Sequence, residues 1–211
     1  KDYGPLIELT TEAYRHSGYE VEVVFLPFAR AMASVKSGEV DGIIGIWHSE
    51  ERSKTLLYSS PLIANQMVFY KKKGRTITYK DFADLKQQGY NLGSVRGYMM
   101  PEGLIESEIP IYWVTKEEQT FKILSGGRVD LIVLDKDFAN YTFRQAKFAD
   151  IAKNIERMGP VLGRYPQHLA ISKKAIDAQQ KMDDFERGYQ HLIKAGNVEQ
   201  IMKKHNLSDR Q

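Results

Sequence analysis

The sequence predicts an α/β protein made of two similar lobes, each with helices packed on a mainly parallel sheet. Segments with helical spacing alternate with short apolar segments that are typical of buried strands. The phrase Gly-x-Val-Asp-x-Ile occurs twice, at residues 38–43 and 127–132, and its two aspartates lie 130 − 41 = 89 residues apart. A chain of 211 residues is long enough for two lobes of about 100 residues each.

The elements before residue 50 follow from the spacing of apolar residues. Apolar positions at helical intervals predict helices at residues 6–16 and 28–36. Residues 19–26 alternate charged with β-branched side chains and then become wholly apolar, which predicts a strand that is buried at one end. Gly38 can take the left-handed conformation that ends a helix, so residues 40–47 begin a new buried strand.

The rest of the chain repeats this plan. Its predicted strands are residues 65–70, 90–95, 129–134 and 168–172, and its predicted helices are residues 80–88, 117–124, 138–147 and two C-terminal helices. Residues 97–103 are expected to form a loop or the start of a helix, and residues 158–166 are interrupted by glycine and proline.

Composition excludes several classes of partner and site. A net charge of +3 is too small to indicate a nucleic-acid partner, and the basic run at residues 71–75 lacks interleaved aromatics and is interpreted as a solvated turn. The sequence has no cysteine, which excludes disulfides, thiolate metal sites and cysteine nucleophiles. His16, His191 and His205 lack ligand spacing, so neither a metal site nor a cofactor is expected.

Export stays open on sequence grounds. No apolar run approaches the roughly 18 residues of a membrane span, and no charged-then-apolar signal peptide opens the sequence. A processed exported protein would show the same features.

Six segments in order resemble one family. They read GPLIELTTEAYRHSGYEVEVVF, LPFARAMASVKSGEVDGIIG, SEERSKTLLYSSPL, YNLGSVRGYMMPEG, ILSGGRVDLIVLD and AGNVEQIMKKHN. The chain resembles the periplasmic solute-binding proteins of polar amino acid ABC transporters, the family-3 extracellular binding proteins. The resemblance implies a type II periplasmic-binding-protein-like clamshell. Members carry a first strand and a Pro-Pro-aromatic loop before the position of Gly4, and this sequence lacks both.

The resemblance also implies an organisation and a function. Lobe 1 is expected to comprise residues 1–70 and 165–211, lobe 2 residues 71–164, and the hinge crossings to lie near residues 69–73 and 163–167. A small polar, amino-acid-like solute would bind between the lobes and be delivered to an ABC transporter membrane permease. The protein is then expected to be a periplasmic or otherwise exported monomer.

Two charged residues match the ligand-binding positions of the family. Arg52 falls where the family has the arginine that holds the ligand carboxylate, and its planar guanidinium suits two carboxylate oxygens. Asp135 falls where the family's aspartate accepts the ligand ammonium group, at the carboxyl end of a predicted strand. The alternatives are a surface arginine paired with a neighbouring glutamate and a helix N-cap aspartate.

Other candidate residues match the family less closely. Phe28 aligns with an aromatic residue that packs on the ligand, although a core role fits equally, and Arg30 could reach the cleft or coat the surface. The small hydroxyl residues expected before Arg52 are replaced by Ile46, Trp47 and His48. The family's Gly-Thr-Thr turn reads Gly97, Tyr98 and Met99, preceded by Arg96.

These departures put a standard amino acid ligand in doubt. They remove hydroxyl donors and add aromatic surface at Phe28, Trp47 and Tyr98, which favours a ligand with apolar or cationic surface. Gly97 and the amides after it could still hold an anion at a helix N-terminus.

Two other functions stay open beside transport. One is the ligand-sensing domain of a membrane receptor. The other is a clamshell enzyme such as a cyclohexadienyl dehydratase, with Asp135, Glu102 and His48 as the candidate acids or bases. The absence of nucleophile-elbow, zinc-protease, P-loop and dinucleotide motifs favours binding without catalysis.

Overall fold

The structure is a computed structural model, and it describes residues 4–207. Its helices are α1 (Pro5–His16), α2 (Phe28–Ser37), α3 (Glu50–Ser53), α4 (Phe82–Gln87), α5 (Glu117–Ser125), α6 (Lys136–Phe143), α7 (Ala149–Lys153), α8 (Ala178–Lys194) and α9 (Asn197–Lys204). Its strands are β1 (Gly42–Ile46), β2 (Leu56–Tyr58), β3 (Ile63–Lys72), β4 (Leu92–Val95), β5 (Ile111–Val114), β6 (Leu131–Asp135) and β7 (Ile155–Ser172). The alternation of helices and strands confirms the expected α/β class.

The repeated sequence phrase has the same backbone structure in both copies. Gly38 and Gly127 follow α2 and α5 with φ angles of +84° and +70°, which are left-handed. Each copy ends its helix with the paired hydrogen bonds of a Schellman motif. The bonds in the first copy are Gly38 N–H to Val35 O and Glu39 N–H to Ser34 O, and those in the second are Gly127 N–H to Leu124 O and Arg128 N–H to Ile123 O. Every atom pair is offset by 89 residues, so the repeat is structural.

Contacts between Cα atoms divide the chain into two compact units. Unit 1 contains Lys1–Leu26, Arg30–Ala64 and Pro166–Gln211, and unit 2 contains Pro27–Ala29 and Asn65–Tyr165. Strands β3 and β7 each continue from one unit into the other.

Unit 1 is built on strand β7 and helices α1 and α8. Both β1 and β2 pair with β7 in antiparallel register, with Ile43 opposite Ala170 and Leu57 opposite Ile171. The core contains Leu9, Tyr14, Leu169, Phe185, Tyr189 and Leu192. Burying aromatic and aliphatic side chains of this size is the main source of stability in such a unit.

Unit 2 has a mixed sheet. Strand β4 runs parallel to both β5 and β6, whereas β6 pairs with β3 in antiparallel register. The core between this sheet and its helices contains Val68, Tyr70, Phe121, Leu124, Ile132 and Leu134. A β-carbon on Gly93 would lie 2.7 Å from Ile123 Cδ1, so glycine is required where α5 packs on the centre of β4.

The expectation of a mainly parallel sheet in each lobe is wrong for unit 1. Its described strand pairs are antiparallel because β1 and β2 both pair with β7. Local periodicity reports which face of a strand is buried, but the direction of its neighbour depends on residues more than 100 positions away.

Three predicted segments also differ from the structure. Residues 19–26 form no strand, and Val24 and Phe25 are 60% and 70% exposed. The alternation of side chains cannot by itself supply a neighbouring backbone for ladder hydrogen bonds. Residues 97–103 form turns without a helix, and residues 158–166 belong to β7 despite their glycines and proline.

Candidate functional site

Arg52 lies at the end of a short capped helix in unit 1. Ser49 is the N-cap of α3, and its hydroxyl accepts the Arg52 N–H at 3.2 Å. Arg52 is only 8% exposed, and its Nη1 donates to the carbonyl oxygen of Trp47 at 3.2 Å. Burial lowers the pKa of Arg52, and the neighbouring Tyr58 and Glu51 oppose this shift. The guanidinium is therefore a buried positive charge that an anionic ligand would stabilise.

Trp47 joins Arg52 to a tyrosine that sequence reasoning missed. The carbonyl oxygen of Trp47 also accepts the hydroxyl of Tyr58, at 3.4 Å. Burial raises the pKa of Tyr58, whereas the charge of Arg52 and a hydrogen bond with the Ser49 backbone lower it. Tyr58 lies within the SEERSKTLLYSSPL segment, but a tyrosine at a strand end is too common to signal a site.

His48 belongs to a cluster of three rings. Its ring centroid lies 4.8 Å from that of Tyr58 and 6.5 Å from that of His168, and Tyr58 and His168 are 5.7 Å apart. His168 is 9% exposed and comes from β7, more than 100 residues after the other two rings. Sequence separation explains why His168 was assigned only to the start of a strand.

Asp135 ends β6 in unit 2 and caps the helix that follows. Its Oδ1 accepts the N–H groups of Asp137 and Phe138, both at 2.9 Å, and its Oδ2 accepts the N–H of Gln66 at 2.9 Å. The helix N-cap alternative is therefore observed. A carboxylate offers about four acceptor positions, and three of them are used here. Gln66 had no signal in the sequence.

Phe28, Gly97 and Tyr98 contact one another within unit 2. The rings of Phe28 and Tyr98 meet edge to face with centroids 4.7 Å apart. Gly97 has a φ of +86°, and a β-carbon on it would lie 3.5 Å from Phe28 Cδ1. The three residues share one surface, although the contacts group Phe28 with unit 2 and the sequence placed it in the first lobe.

Tyr98 is held by a carboxylate. Its hydroxyl donates to Glu117 Oε1, and its ring packs against the core of unit 2. Burial, followed by the charge and hydrogen bond of Glu117, holds the pKa of Tyr98 well above its ordinary value. The charge of Asp135 raises the same pKa, which places these two predicted site residues near each other.

The remaining predicted residues are less constrained. Arg30, Arg96, Gly97 and Glu102 are exposed, and Met99 is half-buried. Because residues 97–103 are not helical, the expected anion site at a helix N-terminus after Gly97 is wrong. The turn directs backbone groups in several directions and has no aligned helix dipole.

Searches for two other kinds of site were negative over residues 4–207. They contain no group of three or more His, Cys, Asp or Glu side chains arranged to hold a metal ion. No helix in the same range is both long and apolar enough to cross a membrane.

Comparison with solved structures shows shared folds at low sequence identity. An ancestral arginine-binding protein bound to glutamine superposes with a TM-score of 0.84 and 21% identity, covering 98% of this chain and 89% of that chain. An arginine-, lysine-, histidine-binding protein from Geobacillus stearothermophilus gives 0.81 and 20%, covering 97% and 86%. A histidine kinase sensor domain with similarity to periplasmic binding proteins gives 0.82 and 22%, covering 95% and 85%.

Comparison at the sequence level gives the family. No curated protein matches this sequence significantly. The model of the bacterial extracellular solute-binding proteins, family 3, matches residues 3–208, which is nearly the whole chain. Its members are binding proteins that act outside the cytoplasm and bind solutes. The chain belongs to the bacterial extracellular solute-binding proteins of family 3.

Proposed function

We propose that this solute-binding protein captures a small amino-acid-like solute in the periplasm and delivers it to the permease of an ABC transporter. Family membership supports solute binding, and two of the similar structures are proteins described as binding amino acids. In this proposal the protein acts as a monomer, without a cofactor and without catalysis. The predicted lobes, with crossings near residues 69–73 and 163–167, and binding between them are part of the same proposal.

One observation carries the proposal to a particular residue. Arg52 is a buried guanidinium at the position that the family uses for the ligand carboxylate, and its backbone and side chain are held by Ser49 and Trp47. A guanidinium that is already fixed loses little entropy when it binds a carboxylate, and the planar fork matches two oxygens. Arg52 is therefore assigned to the acidic end of the solute.

A thermal-shift screen of amino acids, amines and small carboxylates tests the proposal. A ligand at 100 times its dissociation constant stabilises the native state by about 2.7 kcal/mol, which gives a clear rise in melting temperature. The shift should be lost in Arg52→Ala and kept in Lys54→Ala, since Lys54 is exposed and only two residues away. No shift with any amino acid or carboxylate would contradict the proposal.

A sensing domain is the second candidate, and one structural neighbour supports it. The histidine kinase sensor domain has a TM-score of 0.82 with this chain, close to the values of the amino-acid-binding proteins. The two functions differ in the protein partner. Co-purification with an ABC permease after crosslinking in the native cell would support transport, and co-purification with a membrane receptor instead would support sensing.

A further inference from the structure

We propose that His48 and His168 are specificity-determining residues of this solute site, and that each offers a neutral imidazole nitrogen as hydrogen-bond acceptor to an N–H group of the ligand. The inference rests on the proposed function and deepens it, because it specifies a ligand that combines an anionic group with a separate N–H donor.

The tautomer of His168 follows from its partner. Its Nδ1 lies 2.7 Å from the carbonyl oxygen of Ser59. A carbonyl oxygen can only accept, so Nδ1 carries the proton, and in the neutral ring Nε2 keeps its lone pair. Ser59 is itself fixed, because its N–H donates to Leu169 O at 2.9 Å and its hydroxyl accepts the Leu169 N–H at 3.1 Å.

The tautomer of His48 follows from a hydroxyl that has only one proton. The Ser53 hydroxyl donates to the carbonyl oxygen of Ser49 at 2.9 Å and lies 2.9 Å from His48 Nε2. Since the Ser53 proton is used on Ser49, the His48 Nε2 must donate to Ser53. The neutral ring of His48 therefore keeps its lone pair on Nδ1, the reverse of His168.

The two rings and the buried cation form one cluster within unit 1. Both imidazoles contact the Tyr58 ring, and their centroids are 6.5 Å apart. The Tyr58 hydroxyl and Arg52 Nη1 donate to the same oxygen, that of Trp47. A positive charge, an aromatic surface and two neutral acceptors thus lie together.

This combination selects a chemical class of ligand. Arg52 complements a carboxylate, and the neutral imidazole nitrogens complement an amide or guanidinium N–H. A site that is built to hydrogen-bond a polar group rejects an analogue that lacks the group, because its own polar atoms are then left unpaired. An isosteric apolar amino acid should therefore bind more weakly than one with a side-chain N–H.

Matched substitutions separate this role from a structural one. His168→Asn places an amide nitrogen near the position of Nδ1, and His48→Gln places one near the position of Nε2. Each variant keeps the donation to its serine partner and lacks the open ring nitrogen. His191→Gln serves as the control, because His191 is an exposed histidine on α8 that contacts His16.

The binding experiment uses L-arginine, L-glutamine and L-norvaline as calorimetric probes. The parent should bind at least one of the first two more tightly than norvaline, and each variant should lose about tenfold of that preference, as expected for one hydrogen bond. An unchanged preference in both variants would leave the proposed function standing and overturn the role of the histidines. No binding by any probe would contradict both.

A second measurement tests the tautomers without a ligand. Imidazole ¹⁵N NMR of the free protein in mildly alkaline solution should show His48 protonated at Nε2 and His168 protonated at Nδ1. The serine-retaining variants should each remove one of the two signals and leave the other. The same tautomer on both rings would overturn the inference.

Discussion

A β-carbon added to Gly188 would lie 1.9 Å from the carbonyl oxygen of Ala13, closer than any real contact of this kind. Gly188 is in the middle of α8 and Ala13 is in α1, so the two helices of unit 1 cross where neither carries a bulky side chain. Tyr14 and Phe185 pack beside the crossing with ring centroids 5.4 Å apart. The close approach therefore sets the position of the aromatic core.

Gly188→Ala should destabilise the protein although alanine is the better helix former. Alanine favours a helix over glycine by about 1 kcal/mol, but the clash is with backbone atoms of Ala13, so α1 and α8 must move apart. Such overpacking costs about 1–3 kcal/mol. Urea unfolding followed by circular dichroism measures the loss. Gln190→Ala, at an exposed position of α8, is the control and should be nearly neutral.

The two glycines of the repeated turn should differ in their tolerance of alanine. Gly127 has no heavy atom within 4 Å of an added β-carbon, so Gly127→Ala should lose only the about 1–2 kcal/mol of a left-handed backbone. At Gly38 the β-carbon would lie 3.1 Å from Lys174 Cβ, and the loss should be larger. Asparagine tolerates this conformation better, so Gly127→Asn should recover part of the loss. Equal losses at Gly38 and Gly127 would show that the Lys174 contact is unimportant.

Glu8 should contribute stability that is lost in acid. Burial alone would raise the pKa of Glu8, but hydrogen bonds and charges from Lys204 and His205 together lower it below the ordinary value of 4.5. A lowered folded-state pKa stabilises the native state above pH 4.5, and this contribution disappears as the pH falls through the lowered value.

Glu8→Gln tests that contribution through its pH dependence. The parent should be more stable than the variant at neutral pH, and the difference should shrink as the pH falls below 4.5. Urea midpoints measured across the acid range give the comparison. Lys204→Met removes one cationic partner and should reduce the same pH dependence. A difference that stays constant with pH would contradict the assignment.

Asp135→Asn should reduce stability as well as ligand binding. An asparagine can still accept the two N–H groups of α6, but its amide nitrogen cannot accept the Gln66 N–H. Leaving that donor unpaired costs about 1–3 kcal/mol. Thermal unfolding measures this term without ligand, and calorimetry of the folded variant measures binding. Unchanged stability would mean that the Gln66 N–H finds another acceptor.

Arg52→Lys should bind the solute more weakly than the parent but more tightly than Arg52→Ala. Lysine keeps the positive charge and loses the planar fork. Removing the charge altogether should cost on the order of 2–5 kcal/mol of binding free energy. Calorimetry with the solute found by the screen gives the three affinities. Equal affinities of Arg52→Ala and the parent would remove Arg52 from the site.

The sequence was sufficient where structure depends on neighbours along the chain. The helix before Gly38 and the strand after it follow from spacing and from one glycine, and α5, Gly127 and β6 repeat the result. Arg52 and Asp135 were found because a guanidinium and a strand-end carboxylate match family motifs. The N-cap role of Asp135 was also foreseen, since an aspartate before a helix is a local signal.

The tertiary structure decided what depends on distant parts of the chain. Residues 19–26 have the side-chain pattern of a strand but no strand forms there, and β1 and β2 run antiparallel to a strand from the far end of the sequence. His168 joins His48 and Tyr58 only because β7 returns beside β2. Local sequence fixes backbone preference and burial, whereas pairing partners and ring clusters depend on chain reversals that bring together residues more than 100 positions apart.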